Sequence, residues 1–210
     1  MDAIQHLKHC DPRLSKVIDK IGELNYHVYN DISDSFNFLV KEIVGQMLSS
    51  SAKRVIYGRL IQLCDNEITP FVVAKLSIDQ LRSIGLSRSK SIYILNLAGI
   101  VIREEIDFNA LKTASDEEVI KILTSVRGIG NWTAKMYRLF FLQREDILPF
   151  EDGAFLQSYK WLYNTKNVIP ESIVRRCKKW KPYTSIGARY MYRALDEGLT
   201  KIPIMDFLAK

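Results

Sequence analysis

Apolar residues recur along this chain at the three- and four-residue spacing of amphipathic helices. Within residues 38–48, Leu39, Ile43 and Met47 stand four positions apart, and other apolar residues lie between them. Side chains four positions apart share one face of a helix, so these residues are predicted to form a single buried stripe on that face. The pattern therefore predicts a core helix early in the chain, and by spacing alone Met47 belongs to that core.

Further helices follow from the same spacing together with start and stop signals. Ser115 opens a capping-box sequence, because Glu118 stands three positions later, and Ser77 and Gly85 bracket another short helix. The remaining predicted helices cover residues 53–64, 89–103, 133–143, 171–180 and 185–197. Strand-hairpin signals such as Asn-Gly between alternating runs are absent from the sequence. The sequence therefore predicts an all-α fold.

Length and composition narrow the class of protein. The chain has 210 residues, of which 47% are hydrophobic, enough for one sizeable core or for two small lobes. No apolar run reaches membrane-spanning length, and residues 1–10 carry charges without an apolar core, so we expect no membrane anchor and no signal peptide. The three scattered cysteines fit reduced thiols of a cytoplasmic protein and are too few for a four-cysteine iron–sulfur cluster.

The balance of charge is basic, with 30 Lys and Arg against 24 acidic residues and a net charge of +6. A basic protein often binds polyanions, and the placement of the charge matters more than the sum. Residues 175–193 contain no acid. A solvated helix face and a polyanion-binding surface both fit that stretch. Its basic residues are Arg175, Arg176, Lys178, Lys179, Lys181, Arg189 and Arg193.

A short segment with two glycines, residues 126–134, lies between two predicted helices. Gly128 and Gly130 permit a tight turn and leave backbone N–H groups uncovered, and the next helix begins at once. Backbone donors beside a helix N-terminus form a phosphate site that needs no particular base sequence. A Gly-x-Gly turn by itself fits a simple helix–helix connection equally well.

Residues 126–134 resemble the hairpin of the helix-hairpin-helix DNA glycosylases, and the run Gly-Ile-Gly-Asn-Trp-Thr-Ala is similar to the 3-methyladenine DNA glycosylase II branch. Other segments resemble motifs of that branch in the same order. Together they span about residues 11 to 198, without the extra N-terminal β domain of some members. These segments are 11–14, 43–49, 81–90, 148–152 and 180–183.

The resemblance implies a fold of two helical lobes with the active site in the cleft between them. The central lobe would cover residues 35–133 and end in the hairpin, and residues 1–34 plus 134–210 would form the second lobe. It also implies a monofunctional glycosylase that flips an alkylated purine, such as 3-methyladenine or 7-methylguanine, out of double-stranded DNA. We expect a monomer, located with DNA in the cytoplasm, or in the nucleus of a eukaryote.

The resemblance assigns catalysis to Asp152, which follows the hairpin at the family's spacing. Glycosidic cleavage passes through an oxocarbenium-like state, which a nearby carboxylate stabilises. Asp152 also directly precedes a predicted helix, so it fits an N-cap, and the two roles can coexist. Glu151 is the alternative carboxylate.

The base pocket implied by the resemblance contains Trp132, Met136 and Tyr192. Glycosylases that also cut the DNA backbone carry a lysine just after the hairpin, where it forms an imine with the sugar. That position is Trp132 here, and an indole forms no imine but can stack on an electron-poor base. Lys135 is out of register. We therefore expect no lyase activity.

The remaining implied contacts concern the DNA helix. Met47, despite its core-like spacing, would fill the gap left by the flipped base, and Gln46 beside it would bond base edges. The hairpin's phosphate-binding residues would be Arg127, Gly128, Ile129, Gly130 and Asn131. No cofactor is expected to be required. A structural monovalent cation, Na⁺ or K⁺, would be held by the backbone carbonyls of Thr124, Val126 and Ile129.

Two alternatives stay open at this stage. The protein could be a glycosylase for another lesion, such as hypoxanthine or oxidised guanine. It could also be a DNA-binding helix-hairpin-helix protein without catalysis, which would need the hairpin and the basic face but no aspartate at position 152. The presence of Asp152 favours the enzyme.

Overall fold

The computed structural model describes residues 2–24, 29 and 34–209, and every regular element in these ranges is helical. The all-α prediction is therefore confirmed. None of the helices described is long and apolar enough to cross a membrane. The helices are α1 (Ala3–Cys10), α2 (Pro12–Ile21), α3 (Asp34–Gly45), α4 (Ser50–Leu63), α5 (Pro70–Val73), α6 (Ile78–Ser83), α7 (Arg88–Ile102), α8 (Phe108–Thr113), α9 (Asp116–Thr124), α10 (Asn131–Met136), α11 (Gly153–Tyr163), α12 (Pro170–Cys177), α13 (Thr184–Asp196) and α14 (Ile204–Leu208).

Three further stretches depart from α-helical geometry. Helix α10 continues into a π-helical turn, Tyr137–Phe141, and short 3₁₀ helices cover Lys178–Trp180 and Leu199–Lys201. The capping box predicted at Ser115 exists, and Ser77 forms a second one: each serine side chain accepts from the backbone N–H of the third helical residue, whose own side chain accepts in return.

The chain divides into two compact units, one formed by Val28–Leu142 and the other by Met1–His27 with Gln143–Lys210. The lobe boundaries expected from the sequence, 35 and 133, lie inside the first unit. The unit ends at Leu142 and not at 133, because α10 continues into the π-helical turn Tyr137–Phe141.

Aromatic rings organise the core of the Val28–Leu142 unit. The ring of Tyr137 stacks on that of Phe141 with centroids 4.6 Å apart, and Phe38 of α3 meets both rings edge-on. The Tyr137 hydroxyl hydrogen-bonds the buried Ser35 hydroxyl at 2.8 Å. Burial raises the pKa of Tyr137, so its hydroxyl stays neutral. These contacts fix the helix that follows the hairpin against α3.

A buried aspartate organises the other unit. Asp11 is 1% exposed and caps α2, because its Oδ1 accepts from the backbone N–H groups of Arg13 and Leu14. Its Oδ2 accepts from Tyr163 at the end of α11 and from the indole of Trp180, at 2.9 Å. One carboxylate thus joins three segments that are far apart in sequence.

The ionisation of Asp11 follows from those contacts. Burial alone would raise its pKa, but hydrogen bonds from Tyr163, Trp180 and Lys179 outweigh burial and hold the pKa of Asp11 below its usual value. The ammonium of Lys179 lies 3.0 Å from Oδ2. A lowered folded-state pKa means that the carboxylate stabilises the fold above the unfolded-state pKa, about 3.9, and that this stabilisation is lost as pH falls through the folded-state value.

Replacement of Asp11 by asparagine tests this network. Asp11→Asn should lower the free energy of unfolding at pH 7 by on the order of 2 kcal/mol, because charge-assisted hydrogen bonds are lost. The deficit should begin to shrink below the unfolded-state pKa of about 3.9, as at pH 3, and should disappear only as pH falls through the lowered folded-state pKa of Asp11. Denaturant unfolding at both pH values measures it. The matched control is Asp2→Asn, since exposed Asp2 caps α1 through one bond to Gln5. Equal losses for the two variants would contradict the network.

Candidate active site and nucleic-acid interface

The hairpin joins α9 to α10 through residues 125–130. The N–H of Ile129 donates to the carbonyl oxygen of Val126 at 3.0 Å and closes the turn. The side chains of Val126 and Ile129 are buried, at 2% and 3% exposure respectively, while Arg127, Gly130 and Asn131 are exposed. The apolar pair thus anchors the turn and the polar residues face outward. The first N–H groups of α10 have no acceptor within their own helix, so this end offers donors to an anion.

Gly128 is the residue that makes the hairpin possible. Its φ of +98° lies in the left-handed region, which side chains disfavour. A Cβ built on Gly128 would also stand 2.3 Å from the ring of Tyr93 on α7. Gly130 differs, because it has an ordinary φ of −100° and nothing lies within 4 Å of its Cβ position. The ring of Tyr93 therefore occupies the space that any side chain at 128 would need.

An ion pair with one buried partner joins the two helices of the hairpin. The guanidinium of Arg138, in the π-helical turn after α10, meets the carboxylate of Asp116 at the start of α9. Arg138 is only 8% exposed, whereas the side chain of Asp116 is half-buried. Removal of Asp116 would leave the buried charge of Arg138 without this partner, which is destabilising. The pair thus fixes the direction in which both helices leave the turn.

Met47 lies outside the core, so the spacing-based prediction that placed it in a buried stripe is wrong. Helix α3 ends at Gly45, Met47 adopts a left-handed φ of 57°, and its side chain is fully exposed, at 101%. The buried stripe stops at Ile43 and Val44. The Met47 side chain therefore projects into solvent at the tip of a turn, as the predicted wedge role requires.

Gln46 turns toward the hairpin. Its side-chain amide nitrogen donates to the carbonyl oxygen of Gly128 at 2.9 Å and to the hydroxyl of Thr133 at 3.3 Å. The resemblance assigned Gln46 to the base edges beside Met47, and that role stays a prediction. The structure adds that its amide ties the Met47 turn to the hairpin.

The carbonyls proposed for a cation fit a hard monovalent ion by their chemistry. Thr124 is the last residue of α9, so its carbonyl is among those that a helix leaves without an intrahelical partner. The Val126 carbonyl accepts from Ile129 and keeps a second lone pair. Three neutral carbonyl oxygens suit Na⁺ or K⁺ better than a softer transition metal.

The structure separates the two candidate carboxylates, Asp152 and Glu151, from the neighbouring Asp146. Asp152 is buried, at 8% exposure, and caps α11, because its Oδ1 accepts from the N–H of Phe155 at 2.9 Å. Glu151 is exposed. Asp146 bonds the hydroxyl of Thr184 and forms an ion pair with Lys181, so it serves the start of α13. Asp152 is thus the carboxylate that is both buried and held in a fixed direction.

The predicted pocket residues lie on helices of both units. Trp132 and Met136 are four positions apart on α10 and share one face of that helix. Trp132 is half-buried and Met136 is buried. In the other unit, the half-buried ring of Tyr192 lies 6.5 Å from that of Phe155, the residue that bonds Asp152. Tyr192 therefore packs beside the first turn of α11, the turn that Asp152 caps.

The basic stretch forms more internal contacts than its composition suggested. Arg176 lies over the rings of Tyr159 and Tyr163, with its guanidinium carbon 4.8 Å from the nearer centroid. Three acids form ion pairs with other basic residues of the stretch, so the stretch is partly structural. These pairs are Lys179 with Asp11, Lys181 with Asp146 and Arg193 with Glu197. Arg175 and Lys178 are exposed.

Sequence reasoning missed Tyr93, Lys90 and Arg138. Tyr93 shapes the hairpin, Arg138 pairs across it, and Lys90 bonds the turn that carries Met47. All three act through contacts with residues at least 22 positions away, as Arg138 does with Asp116. Helical spacing reports only which face a residue shares, so it carried no signal for these partners.

Comparisons with known proteins agree with this geometry. The model of the family described as HhH-GPD superfamily base excision DNA repair protein matches residues 40–182. The alkylbase DNA glycosidase-like protein mag2 of Schizosaccharomyces pombe is 26% identical over 91% of this chain and 92% of its own length. The structure of a DNA-3-methyladenine glycosidase from Bacillus halodurans is 30% identical, covers 100% of this chain and 97% of that one, and has a TM-score of 0.76.

A second solved structure supports the fold. The 3-methyladenine DNA glycosylase of Schizosaccharomyces pombe, in complex with abasic DNA, has a TM-score of 0.84 and 22% identity. The match covers 93% of this chain and 97% of that one.

The two hairpin glycines provide a matched pair of variants. Gly128→Ala should lower the free energy of unfolding by at least about 2 kcal/mol, because it combines a left-handed backbone with a collision against Tyr93. Gly130→Ala should cost less than about 1 kcal/mol, because only the helix cap changes. Denaturant melts of both variants measure the difference. Equal stability for the two would show that the Tyr93 contact does not shape the hairpin.

Proposed function

Because this chain belongs to the HhH-GPD superfamily of base excision DNA repair proteins, we propose that it is a monofunctional DNA glycosylase for alkylated purines. It flips the damaged base out of duplex DNA and hydrolyses the N-glycosidic bond. The observation that carries the proposal is the buried Asp152, whose carboxylate is held in one direction by the Phe155 N–H at the start of α11. The names of the relatives, 3-methyladenine glycosylases among them, support the same reaction.

Asp152 stabilises the positive charge that develops on the sugar. The bond between base and sugar breaks through an oxocarbenium-like state, and a preorganised carboxylate interacts more strongly with that cation than with the neutral substrate. The N-terminal end of α11 favours an anion at this position. Because the carboxylate is already oriented by its cap bond, little reorganisation is needed at the moment of reaction.

The substrates are 3-methyladenine and 7-methylguanine. These bases already carry positive charge, so they leave readily and need little help from a general acid. A carboxylate that stabilises the sugar cation is then sufficient. The half-buried indole of Trp132 provides a stacking surface, and cation–π attraction favours an electron-poor base on such a surface. Met136 lies on the same face of α10 as Trp132 and extends this apolar surface.

DNA binding combines two contacts of the Val28–Leu142 unit. The hairpin, with Arg127, Gly130 and Asn131 exposed, binds phosphates without regard to sequence. The exposed side chain of Met47 enters the stack and fills the position that the flipped base leaves. A monovalent cation on the carbonyls of Thr124, Val126 and Ile129 would neutralise charge beside those phosphates. The protein acts as a monomer, in the compartment that holds the DNA.

Asparagine at position 152 isolates the carboxylate charge, because asparagine also caps helices. Asp152→Asn should slow base release from a methylated duplex by about 10²–10³-fold while DNA binding persists. Single-turnover assays measure the rate of base release, and fluorescence anisotropy measures DNA binding. The control is Glu151→Gln, at the exposed neighbour, which should retain activity. A loss confined to Glu151→Gln would move the catalytic role to Glu151.

The enzyme should leave an intact abasic strand. Backbone cutting by β-elimination needs an amine that forms an imine with the sugar, and the position after the hairpin holds Trp132. Borohydride should therefore trap no protein–DNA adduct, and strand breaks should appear only after alkali. Lys135 is the nearest alternative amine on α10 and is half-buried. A trapped adduct that disappears in Lys135→Ala would overturn the monofunctional assignment.

A further inference from the structure

The turn that displays Met47 is anchored to the end of helix α3. The N–H of Gln46 donates to the carbonyl oxygen of Glu42 at 3.1 Å, and the N–H of Leu48 donates to that of Gly45 at 3.1 Å. A helix ordinarily leaves its last four carbonyls without partners. Here three of the four, those of Glu42, Ile43 and Gly45, accept from N–H groups of the turn itself, which leaves the carbonyl of Val44 to be accounted for.

Lys90, on the first turn of α7, bonds the carbonyls on both sides of Gly45. Its ammonium donates to Val44 at 2.9 Å and to Gln46 at 2.5 Å. The side chain is half-buried, and burial lowers the pKa of Lys90. A cation at the C-terminal end of a helix interacts favourably with the helix dipole and with its last carbonyls. Lys90 thus reaches from another helix to close the end of α3.

The side of the turn away from Lys90 is held by the stem of Lys53 and by the amide of Gln46. Gly45 has no side chain, and a Cβ there would stand 2.5 Å from the Cδ of Lys53, whose stem crosses the helix end to pair with Glu42 at 2.8 Å. Gln46 bonds the hairpin through its amide. The backbone from 45 to 48 is therefore held on three sides, while the Met47 side chain projects outward.

We propose that Lys90 is a positioning residue that fixes the Met47 turn and thereby sets the preference of the protein for damaged over undamaged DNA. This inference rests on the proposed wedge role of Met47. An apolar wedge contributes to affinity only where a base has left the stack. A turn that is already ordered before binding avoids the entropic cost of ordering it in the complex. Loss of Lys90 should therefore weaken binding to damaged DNA selectively.

The alternative role for Lys90 is a direct contact with a DNA phosphate, and the two roles predict different behaviour. A phosphate contact adds to affinity on every duplex, and its loss reduces the slope of log affinity against log salt by about one. The Lys90 ammonium donates to the carbonyls of Val44 and Gln46, so it acts on DNA binding through the turn. Its loss should leave that slope unchanged.

The test compares Lys90→Met with Lys75→Met, which removes the same charge from an exposed site in the same unit. Affinity is measured for a duplex with a stable tetrahydrofuran abasic analogue and for the undamaged duplex, at several salt concentrations. Lys90→Met should reduce the preference for the abasic duplex by about tenfold, as loss of charge-assisted bonds predicts. The salt slope should stay constant, and Lys75→Met should leave the preference unchanged. An equal loss on both duplexes, with a lower slope, would identify a phosphate contact instead.

A double-mutant cycle shows whether Lys90 acts through Met47. If it does, Lys90→Met should reduce the preference no further once Met47→Ala is present, because residues that act as a unit are non-additive. Additive losses would overturn the inference. A Met47→Ala variant with unchanged preference would instead refute the wedge role, and with it that part of the proposed function.

A measurement without DNA distinguishes a failure of the positioning role of Lys90 from a failure of the wedge role of Met47. Amide hydrogen exchange at Leu48, which bonds Gly45, should accelerate about tenfold in Lys90→Met and stay constant in Lys75→Met. Unchanged exchange would overturn the role of Lys90 whatever the DNA results. If Lys90→Met fails to fold, Lys90→Gln retains a donor for one carbonyl and should show the same changes at smaller size.

Discussion

The contact between the ring of Tyr93 and the bare backbone of Gly128 is the constraint on which the Val28–Leu142 unit depends. It holds the hairpin against α7, and the left-handed φ of Gly128 turns the chain into α10. Lys90 lies three positions before Tyr93, so both side chains leave the same face of α7. One fixes the turn that displays Met47 and the other fixes the hairpin. Helix α7 therefore sets the spacing between the two turns, and Gln46 joins them directly.

Two aspartates begin helices in the other unit, and their surroundings give them different roles. Asp11 caps α2 and uses its second oxygen for Tyr163, Trp180 and Lys179, which makes it a structural anchor. Asp152 caps α11, in the segment that follows the hairpin helix, with Tyr192 near the same first turn. The cap bond orients the carboxylate. In the proposed function, the helix cap and the electrostatic catalyst use the same geometry.

Local patterns predicted the elements of this fold well. The helix start at Ser77, the capping box at Ser115 and the helix after the hairpin could be predicted from short-range sequence, because caps and spacing depend on neighbours within a few positions. Met47 shows the limit of that reasoning. Its spacing continues the stripe of α3, but the helix ends at Gly45, where Lys90 and Lys53 arrive from other helices. The basic stretch shows the same limit, since Lys179 and Lys181 pair with acids far away in sequence.

The most direct test of this account is to incubate the wild-type protein with a duplex that contains 7-methylguanine or 3-methyladenine and to identify what is released before any alkali is added. The account predicts free methylated base and a continuous strand that alkali then cleaves at the lesion. Tight binding to that duplex without release of any base would contradict it, and would show that the chain uses its hairpin and its exposed Met47 only to bind DNA.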